Sequence, residues 1–307
     1  MKIIFFGTPY FAAEALRYLL GAGISIAAIV TQPDRPKGRS GAPTPSPVKQ
    51  IALEAGLDVM QPEKASQADF LASLASYRAD LYVVVAFGQI LPQSLLDIPP
   101  LGCINVHASL LPAYRGAAPM QRSLMDGVKE TGVCVQKMVK QLDAGDVIAE
   151  RKIDVPLDMT FGELQTALCR LSQDLLLSVI RQYANGVPLA SKQDPSLVSF
   201  APKITTEECQ IDWSLPAASL HHRVRALSPR PGAWCWVQIE GEKKRLKILR
   251  SHPLADCGQP GQFTAARTAV FCSEGALQLL EVQPDGKKAM KASDWLRGLK
   301  AAPIFRV

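Results

Sequence analysis

The segment KIIFFGTP, residues 2–9, decides the expected fold of the first half of this chain. Its apolar run 2–6 predicts a short buried strand that Gly7 ends. Thr8 and Pro9 then predict the N-cap and the first residue of a helix over about residues 9–20. A strand that passes through a tight turn into a helix is the beginning of a βαβ unit, from which parallel α/β sheets are built.

The same alternation of apolar strands and helices continues to residue 186. The strand 81–86, LYVVVA, is apolar throughout, as expected of a strand that is covered on both faces. The sequence therefore predicts a first domain over 1–186, an α/β domain with a Rossmann-like, mostly parallel sheet. The further predicted elements are strands 24–30, 103–107, 132–139 and 147–155, a helix 66–77, and a long helix from a Thr160–Glu163 capping box to Asn185-Gly186.

The character of the chain changes after residue 186. Residues 187–205 contain three prolines and no sustained period, which predicts a linker. A short helix is predicted over 217–227, and five predicted short strands separated by turn residues follow it. This pattern predicts a second domain over 206–307, an OB-like β-barrel.

Composition excludes several classes of protein. The chain has 307 residues, of which 48% are hydrophobic and 20% charged, enough for two domains with sizeable cores. The seven cysteines are widely spaced without a CxxC pair, so we expect a reducing cytoplasm and no disulfide framework. No apolar run approaches the roughly 18 residues that a membrane span needs, so no membrane partner is expected.

The positive charge is concentrated in the last third of the chain. Residues 205–307 hold 15 Lys/Arg and 10 Asp/Glu, whereas residues 1–204 hold 19 and 18. This asymmetry permits a polyanionic partner such as nucleic acid, although a merely basic surface explains it equally well.

His107 is the only histidine among the first 220 residues, and it stands where strand 103–107 meets a loop. Asn105 precedes it by two residues and therefore shares its face of the strand. An asparagine donates a hydrogen bond without charge, and a histidine can exchange a proton near neutral pH. With a carboxylate such as Asp143 nearby, the set suits nucleophilic attack on a carbonyl. A structural role for each residue alone stays open: a turn cap, a buried histidine and an Asx-turn.

Other chemistries find less support in the sequence. The first turn, Gly7-Thr8-Pro9, is not GxGxxG, and no Walker A motif occurs, so neither a nicotinamide nor a nucleoside triphosphate is expected. No second histidine or cysteine lies near His107 at metal-ligand spacing, so no metal is expected. Ser109 could complete a Ser/His/Asp triad, but the GxSxG elbow of such enzymes is missing.

Three segments together closely resemble the folate-dependent formyltransferases. They are NVHASLLP (105–112), YRG (114–116) and LDAGD (142–146). In that family the corresponding segments surround the formyl group. The resemblance implies an α/β formyltransferase fold, with Asn105, His107 and Asp143 as the catalytic residues and 10-formyltetrahydrofolate as co-substrate.

Further stretches resemble those members of the family that act on charged tRNA. They are FFGTPYFA (5–12), TQPDRPKGRSGAPTPSPVK (31–49) and the IDWS segment (211–214) of the tail. The resemblance, which spans nearly the whole chain, implies initiator methionyl-tRNA as the acceptor. It also implies that the 31–49 loop enters the acceptor stem through Arg39 and that the barrel follows the tRNA backbone. We expect a monomer.

The resemblance also implies a folate site at the ends of two strands. One side of that site would be the HxSLLP loop, and the pterin side would be the apolar end of strand 81–86. The residues implied are Ser109, Leu110, Leu111 and Pro112 on the first side and Phe87, Gly88, Gln89, Ile90 and Leu91 on the second.

Two departures from the family pattern and three alternatives qualify this interpretation. Lys140-Gln141 before Asp143 adds positive charge, and Gly41-Ala42 replace expected lysines in the 31–49 loop. We therefore expect weaker electrostatic binding of tRNA, or a larger share of it in the barrel. The alternatives are a formyltransferase for a small amine such as an amino sugar, a hydrolase that releases formate from the same folate, and a non-catalytic nucleic-acid-binding protein.

Overall fold

The computed structural model describes residues 1–36 and 41–305. The strands are β1 Ile3–Gly7, β2 Ile26–Val30, β3 Arg35–Pro36, β4 Pro43–Thr44, β5 Val59–Met60, β6 Leu81–Val85, β7 Cys103–His107, β8 Arg115–Gly116, β9 Glu130–Lys137, β10 Val147–Asp154, β11 Phe200–Ala201, β12 Ala233–Ile239, β13 Glu242–Leu254, β14 Phe263–Thr264, β15 Ala269–Phe271, β16 Ala276–Pro284, β17 Met290–Lys291 and β18 Ile304–Phe305. The helices are α1 Tyr10–Gly21, α2 Pro47–Glu54, α3 Ala68–Ser76, α4 Gln93–Leu96, α5 Pro119–Met125, α6 Phe161–Ala184, α7 Ala217–Leu227 and α8 Ala292–Arg297.

The chain forms two compact units that interleave along the sequence. The first comprises Met1–Gly116, Gly132–Ile153 and Ala167–Phe200, and the other described residues form the second. The contiguous domain boundaries expected at residues 186 and 206 stay a prediction. Within the described residues no helix is both long and apolar enough to cross a bilayer.

The first unit contains the predicted Rossmann-like, mostly parallel sheet, which is thereby confirmed. Its strand order is β10-β9-β7-β6-β1-β2-β5. The five strands from β7 to β5 are parallel neighbours, and β9 runs antiparallel to β7. Gly7 is paired with Val85, and Val85 with Val106. The carboxyl ends of β1, β6 and β7 therefore meet at one edge of the sheet.

The predicted N-cap role of Thr8 is wrong. Helix α1 begins at Tyr10, its N-cap is Pro9, and no side chain caps it. Thr8 instead donates from Oγ1 to the carbonyl of Phe87 at 2.9 Å and accepts from the amide of Gln32 at 3.3 Å. The Thr8 hydroxyl thus links the segments that follow β1, β2 and β6. These partners from other strands take the place of the helix amide that an N-cap side chain would bind.

Two helix predictions in the second unit are confirmed. Thr160 and Glu163 form the capping box, in which the Thr160 amide donates to Glu163 Oε2 at 2.8 Å and the Glu163 amide to Thr160 Oγ1 at 3.4 Å. Helix α7 covers the predicted range, Ala217–Leu227.

The second unit contains the nearly closed antiparallel barrel that the sequence predicts. Its strand order is β14-β15-β16-β13-β12-β18, with β17 also paired to β16. Side chains alternate strictly between buried and half-buried along β12, as expected of a strand with one face in a core. Trp213 is fully buried in that core and meets Phe305 edge to face, with ring centroids 5.5 Å apart.

A buried histidine makes the second unit sensitive to acid. His221 is 2% exposed, and its Nε2 lies 3.0 Å from the carbonyl of Leu157. Burial lowers the pKa of His221 below its usual value, despite that carbonyl and the nearby Asp158. The unfolded chain therefore binds a proton first, at about pH 6.5. The stability that the protein gains from keeping His221 neutral and buried is complete above that pH. It is lost as the pH falls through the pKa of His221 in the folded state.

We therefore expect the free energy of unfolding to fall between pH 7.5 and pH 5, and the His221→Gln variant to lose less over that interval. Urea unfolding at several pH values measures both. His252→Gln is the comparison variant: its ring lies 6.4 Å from that of His221 and its charge helps to lower the pKa of His221, so this variant should reduce the slope less than His221→Gln does. Equal slopes for wild type and His221→Gln would contradict this assignment.

Candidate active site

The predicted catalytic residues lie at the carboxyl edge of the parallel sheet, where ligands bind in open α/β folds. Asn105 and His107 lie at the carboxyl end of β7, and their side chains are on the same face of the sheet. The antiparallel β9 places Gln136 opposite Asn105 and Cys134 opposite His107. The loop between β9 and β10 carries Asp143 back to the same face.

His107 is held by backbone and carboxylate on its two ring nitrogens. Its Nε2 lies 2.9 Å from the carbonyl oxygen of Tyr114. A carbonyl only accepts hydrogen bonds, so Nε2 carries a proton and Nδ1 is the nitrogen that exchanges one. Nδ1 lies 3.8 Å from Asp143 Oδ2, within ion-pair distance when the ring is charged. His107 is 5% exposed, so its ring is fixed in this orientation.

The carboxylate of Asp143 is held at both oxygens. Gln136 Nε2 donates to Oδ1 at 3.0 Å, and the amide of Gly116 donates to Oδ2 at 2.8 Å. Asp143 has a φ of 48°, in the left-handed region that few residues other than glycine adopt, and Tyr114 has a φ of 61°. Two left-handed residues beside the same histidine mark a segment whose conformation the surrounding contacts impose.

Asn105 offers an uncommitted donor beside this pair. Its side chain is half-buried, and its amide makes no hydrogen bond to any of the described residues. An amide on the same face as His107 can donate to an oxyanion formed there. The three residues together supply a neutral donor, a proton-exchanging ring and a fixed carboxylate.

Cys134 does not add a nucleophile to the site, although it lies directly across from His107. Burial raises the pKa of the Cys134 thiol to about 12. The thiol is therefore protonated at neutral pH, and the thiolate is the reactive form of cysteine.

The predicted folate loop after β7 is compact. Ser109 is fully buried and donates from Oγ to the carbonyl of Ala113 at 2.6 Å. Leu111 is buried, Leu110 and Pro112 are half-buried, and the Leu111–Pro112 peptide is cis. The four residues lie directly beyond His107, at the sheet edge where the sequence analysis expects them. Their contact with folate stays a prediction.

The predicted pterin side reaches the same edge, but its side chains point in different directions. Phe87 and Leu91 are buried in a core cluster, whereas Ile90 is 86% exposed. Gln89 accepts from the amide of Ala65 at 2.7 Å, and Gly88 has a φ of 88°. Side chains alone therefore do not make a continuous apolar wall from residues 87–91, and this part of the folate site also stays a prediction.

The departures from the family pattern lie at the surface. Lys140 and Gln141 are exposed, as are Gly41 and Ala42. The positive charge of Lys140 is therefore solvated. Arg39, the residue expected to contact the acceptor stem, lies outside the described residues.

Sequence reasoning assigned no role to three residues that hold the site: Gln136, Gln193 and Arg115, the last of which it named only as part of the YRG segment. Gln136 left a signal, since it is a lone amide in the apolar strand β9 opposite Asn105. Arg115 is buried at 7% exposure, and its Nη2 donates to Gln193 Oε1 at 2.7 Å. Nothing in the sequence around Gln193 distinguishes it from its polar neighbours.

Comparison with known proteins covers both parts of the chain. Residues 1–180 match the formyl transferase family, and residues 203–300 match the formyl transferase C-terminal domain. The methionyl-tRNA formyltransferase of Protochlamydia amoebophila is 48% identical over 305 residues, covering 97% of this chain and 95% of that protein. The methionyl-tRNA formyltransferase of Nitrobacter hamburgensis is 43% identical over 306 residues, covering 100% and 99%.

Solved structures share the fold at low sequence identity. HypX from Aquifex aeolicus in complex with tetrahydrofolic acid has a TM-score of 0.66 at 16% identity, covering 98% of this chain and 48% of that chain. An N-formyltransferase from Helicobacter canadensis in complex with folinic acid and dTDP-3-aminofucose has a TM-score of 0.63 at 15% identity, covering 91% and 99%. Since the family matches extend over both parts of the chain and the relatives align over its full length, this protein belongs to the formyl transferase family.

Proposed function

We propose that this protein transfers the formyl group of 10-formyltetrahydrofolate to the α-amino group of methionine esterified to initiator tRNA. The observation that carries the proposal is the convergence of Asn105, His107 and Asp143 on one face at the sheet edge. It occurs in a chain whose full-length relatives are named methionyl-tRNA formyltransferase. In this proposal the protein acts in the cytoplasm, as a monomer.

The geometry supports a direct acyl transfer. The neutral amine attacks the formyl carbon. As the C–N bond forms, the π electrons of the formyl C=O bond move to its oxygen. Asn105 and His107 donate hydrogen bonds to that oxyanion, His107 through a proton on Nδ1, while its Nε2 stays bonded to the Tyr114 carbonyl. The Asp143 carboxylate, which faces Nδ1, takes up the proton that the amine loses as it attacks. Collapse of the intermediate breaks the bond from the formyl carbon to the folate nitrogen, which takes up that proton from Asp143 and leaves as tetrahydrofolate.

The proposed folate contacts follow the same edge of the sheet. Residues 109–112 lie next to His107, and residues 87–91 follow the neighbouring strand β6. A folate between these two segments would present its formyl group to His107. Arg39 would contact the acceptor stem of the tRNA.

The barrel offers a surface suited to tRNA. Trp234 and Trp236 stand on one face of β12, with ring centroids 5.4 Å apart. The guanidinium of Arg245 lies 4.5 Å from the centre of the Trp234 ring, and Lys243 Nζ lies 4.6 Å from that of Trp236. Cations held over aromatic rings keep positive charge at the surface for phosphates, and the rings can stack on a base or pack against a ribose.

We expect the Lys243→Ala/Arg245→Ala double variant to bind tRNA more weakly whatever the nucleotide sequence of the tRNA. The slope of log K against log salt is negative, and its magnitude should fall by about one to two, since each lost phosphate contact removes about one. Filter binding at 50–200 mM salt measures this slope. Arg17→Ala, an exposed arginine of the first unit, is the control. An unchanged slope would assign the tRNA contact to other cations.

A single-turnover assay tests the proposed reaction. The purified chain is mixed with 10-formyltetrahydrofolate and either methionyl-initiator tRNA or free methionine with small amines such as amino sugars, and the formyl-amide is quantified. Product on charged tRNA alone supports the proposal. Product on a small amine alone would replace it with the amino-sugar type of reaction, and formate without amide would identify a hydrolase.

A further inference from the structure

Gln193 is half-buried within the otherwise exposed stretch 191–194. Its neighbours Ser191, Lys192 and Asp194 are exposed, whereas the Gln193 side chain turns inward. All contacts discussed below lie within the first compact unit. The backbone of the stretch is anchored on β10, because Ser191 and Val147 exchange backbone hydrogen bonds of 2.8 and 2.9 Å.

The amide of Gln193 holds the turn that carries Asp143. Its Nε2 donates to the carbonyl oxygen of Asp143 at 2.8 Å and to that of Gly145 at 2.7 Å. It also lies 3.4 Å from Gln136 Oε1. Gln136 in turn donates to Asp143 Oδ1. One primary amide thus contacts the turn on both sides of Ala144 and touches the residue that holds the catalytic carboxylate.

Arg115 fixes which way the Gln193 amide points. Its Nε and Nη2 donate to Gln193 Oε1 at 3.1 and 2.7 Å. A guanidinium only donates, so the oxygen must face Arg115 and the NH₂ group must face the two carbonyls. Arg115 is followed directly by Gly116, whose amide donates to Asp143 Oδ2. The two chain segments on either side of the carboxylate are therefore joined through Gln193.

We propose that Gln193 is a positioning residue for the transfer reaction: it holds Asp143 in its left-handed conformation, so that Oδ2 faces His107 Nδ1. This inference rests on the proposed function for its kinetic consequence. The backbone of Asp143, at φ 48°, needs restraint from its surroundings. The two hydrogen bonds from Gln193 to the carbonyls of this turn supply that restraint at the strained residue. Small displacements of a reacting group lower rates steeply.

Three variants separate positioning from a merely structural link. Gln193→Ala removes all the bonds. Gln193→Glu is isosteric and keeps an oxygen for Arg115, but places a second oxygen against the carbonyls of Asp143 and Gly145. Ser191→Ala changes an exposed side chain two residues away and leaves the backbone bridge to Val147, so it is the matched control.

We expect Gln193→Ala and Gln193→Glu to lower kcat by roughly 10- to 100-fold, with KM for tRNA within a few-fold of wild type. The kcat–pH profile should change shape in both, and Ser191→Ala should match wild type. If Gln193 served only to tie the stretch to Arg115, Gln193→Glu would keep full kcat, because its carboxylate pairs with the guanidinium. That result would overturn the proposal.

Amide hydrogen exchange across residues 138–147 supplies a readout that needs no substrate. Both Gln193 variants should exchange faster there than wild type and Ser191→Ala. If wild type proves inactive on charged tRNA, the proposed function fails, and exchange still decides whether Gln193 holds the turn. Wild-type exchange in Gln193→Ala would show that the turn does not depend on it.

Discussion

Replacing His107 by alanine should lower the rate of formyl transfer by about 10³-fold while tRNA affinity stays close to that of wild type. An oxyanion donor contributes about 10²- to 10³-fold, and a positioned acid or base about 10²- to 10⁴-fold. In the proposed mechanism His107 supplies the donor through Nδ1 and supports the base, because Nδ1 also faces the proton-accepting Asp143, while its Nε2 is fixed on the Tyr114 carbonyl. Rapid-quench single turnovers measure the rate, and filter binding measures the affinity.

The matched control is His252→Ala, a histidine in β13 of the second unit whose side chain is 42% exposed. It should retain the wild-type rate under the same conditions. The affinity measurement matters as much as the rate, because a misfolded variant would lose both. A His107→Ala protein that transfers formyl groups within a few-fold of wild type would remove the histidine from the mechanism.

The main elements were predictable because they depend on local pattern. The apolar run 2–6 and the fully apolar strand 81–86 become neighbouring parallel strands of one sheet. The capping box of Thr160 and Glu163 is also local, and it forms as predicted. Thr8 has the same local signal for a cap, but its hydroxyl bonds to the carbonyl of Phe87 instead. That partner lies 79 residues away in the sequence, beyond the reach of a local rule.

The candidate site was likewise predictable only in part. The residue types Asn105, His107 and Asp143 could be chosen from the sequence, because their chemistry suits a carbonyl reaction. The contacts that orient them could not, because Gln136 and Gln193 reach Asp143 only after the strands pair and the chain returns. A glutamine in a proline-containing stretch has the same composition signal whether it faces solvent or holds a turn.

The Asp143 turn also depends on a glycine whose role is steric. Gly145 follows Asp143 by two residues, and a Cβ built on it would lie 1.7 Å from the carbonyl oxygen of Lys137. The amide of Lys137 donates to the carbonyl of Asp146 at 2.9 Å, so β9 and the turn are in direct backbone contact here. Since the clashing atom belongs to the backbone, a side chain at this position can fit only if β9 and the turn move apart.

Gly145→Ala should therefore lower kcat by about 100-fold or more and destabilise the chain by about 2–3 kcal/mol. The separation moves Asp143 relative to His107 and breaks the pair of carbonyl contacts to Gln193. Gly21→Ala is the matched control, because nothing lies within 4 Å of the Cβ added there and the residue ends helix α1. It should keep full activity and gain stability of up to about 1 kcal/mol.

Thermal unfolding and single-turnover rates, measured on both glycine variants, separate the two effects. Binding of tRNA to Gly145→Ala should persist at temperatures where the protein is folded, because the barrel residues that we propose for tRNA contact are remote from residue 145 in the sequence and belong to the other compact unit. A folded Gly145→Ala protein with the wild-type kcat would mean that the close approach of β9 and the turn does not hold Asp143 against His107. The transfer reaction would then tolerate a displaced turn, which would also contradict the positioning role of Gln193.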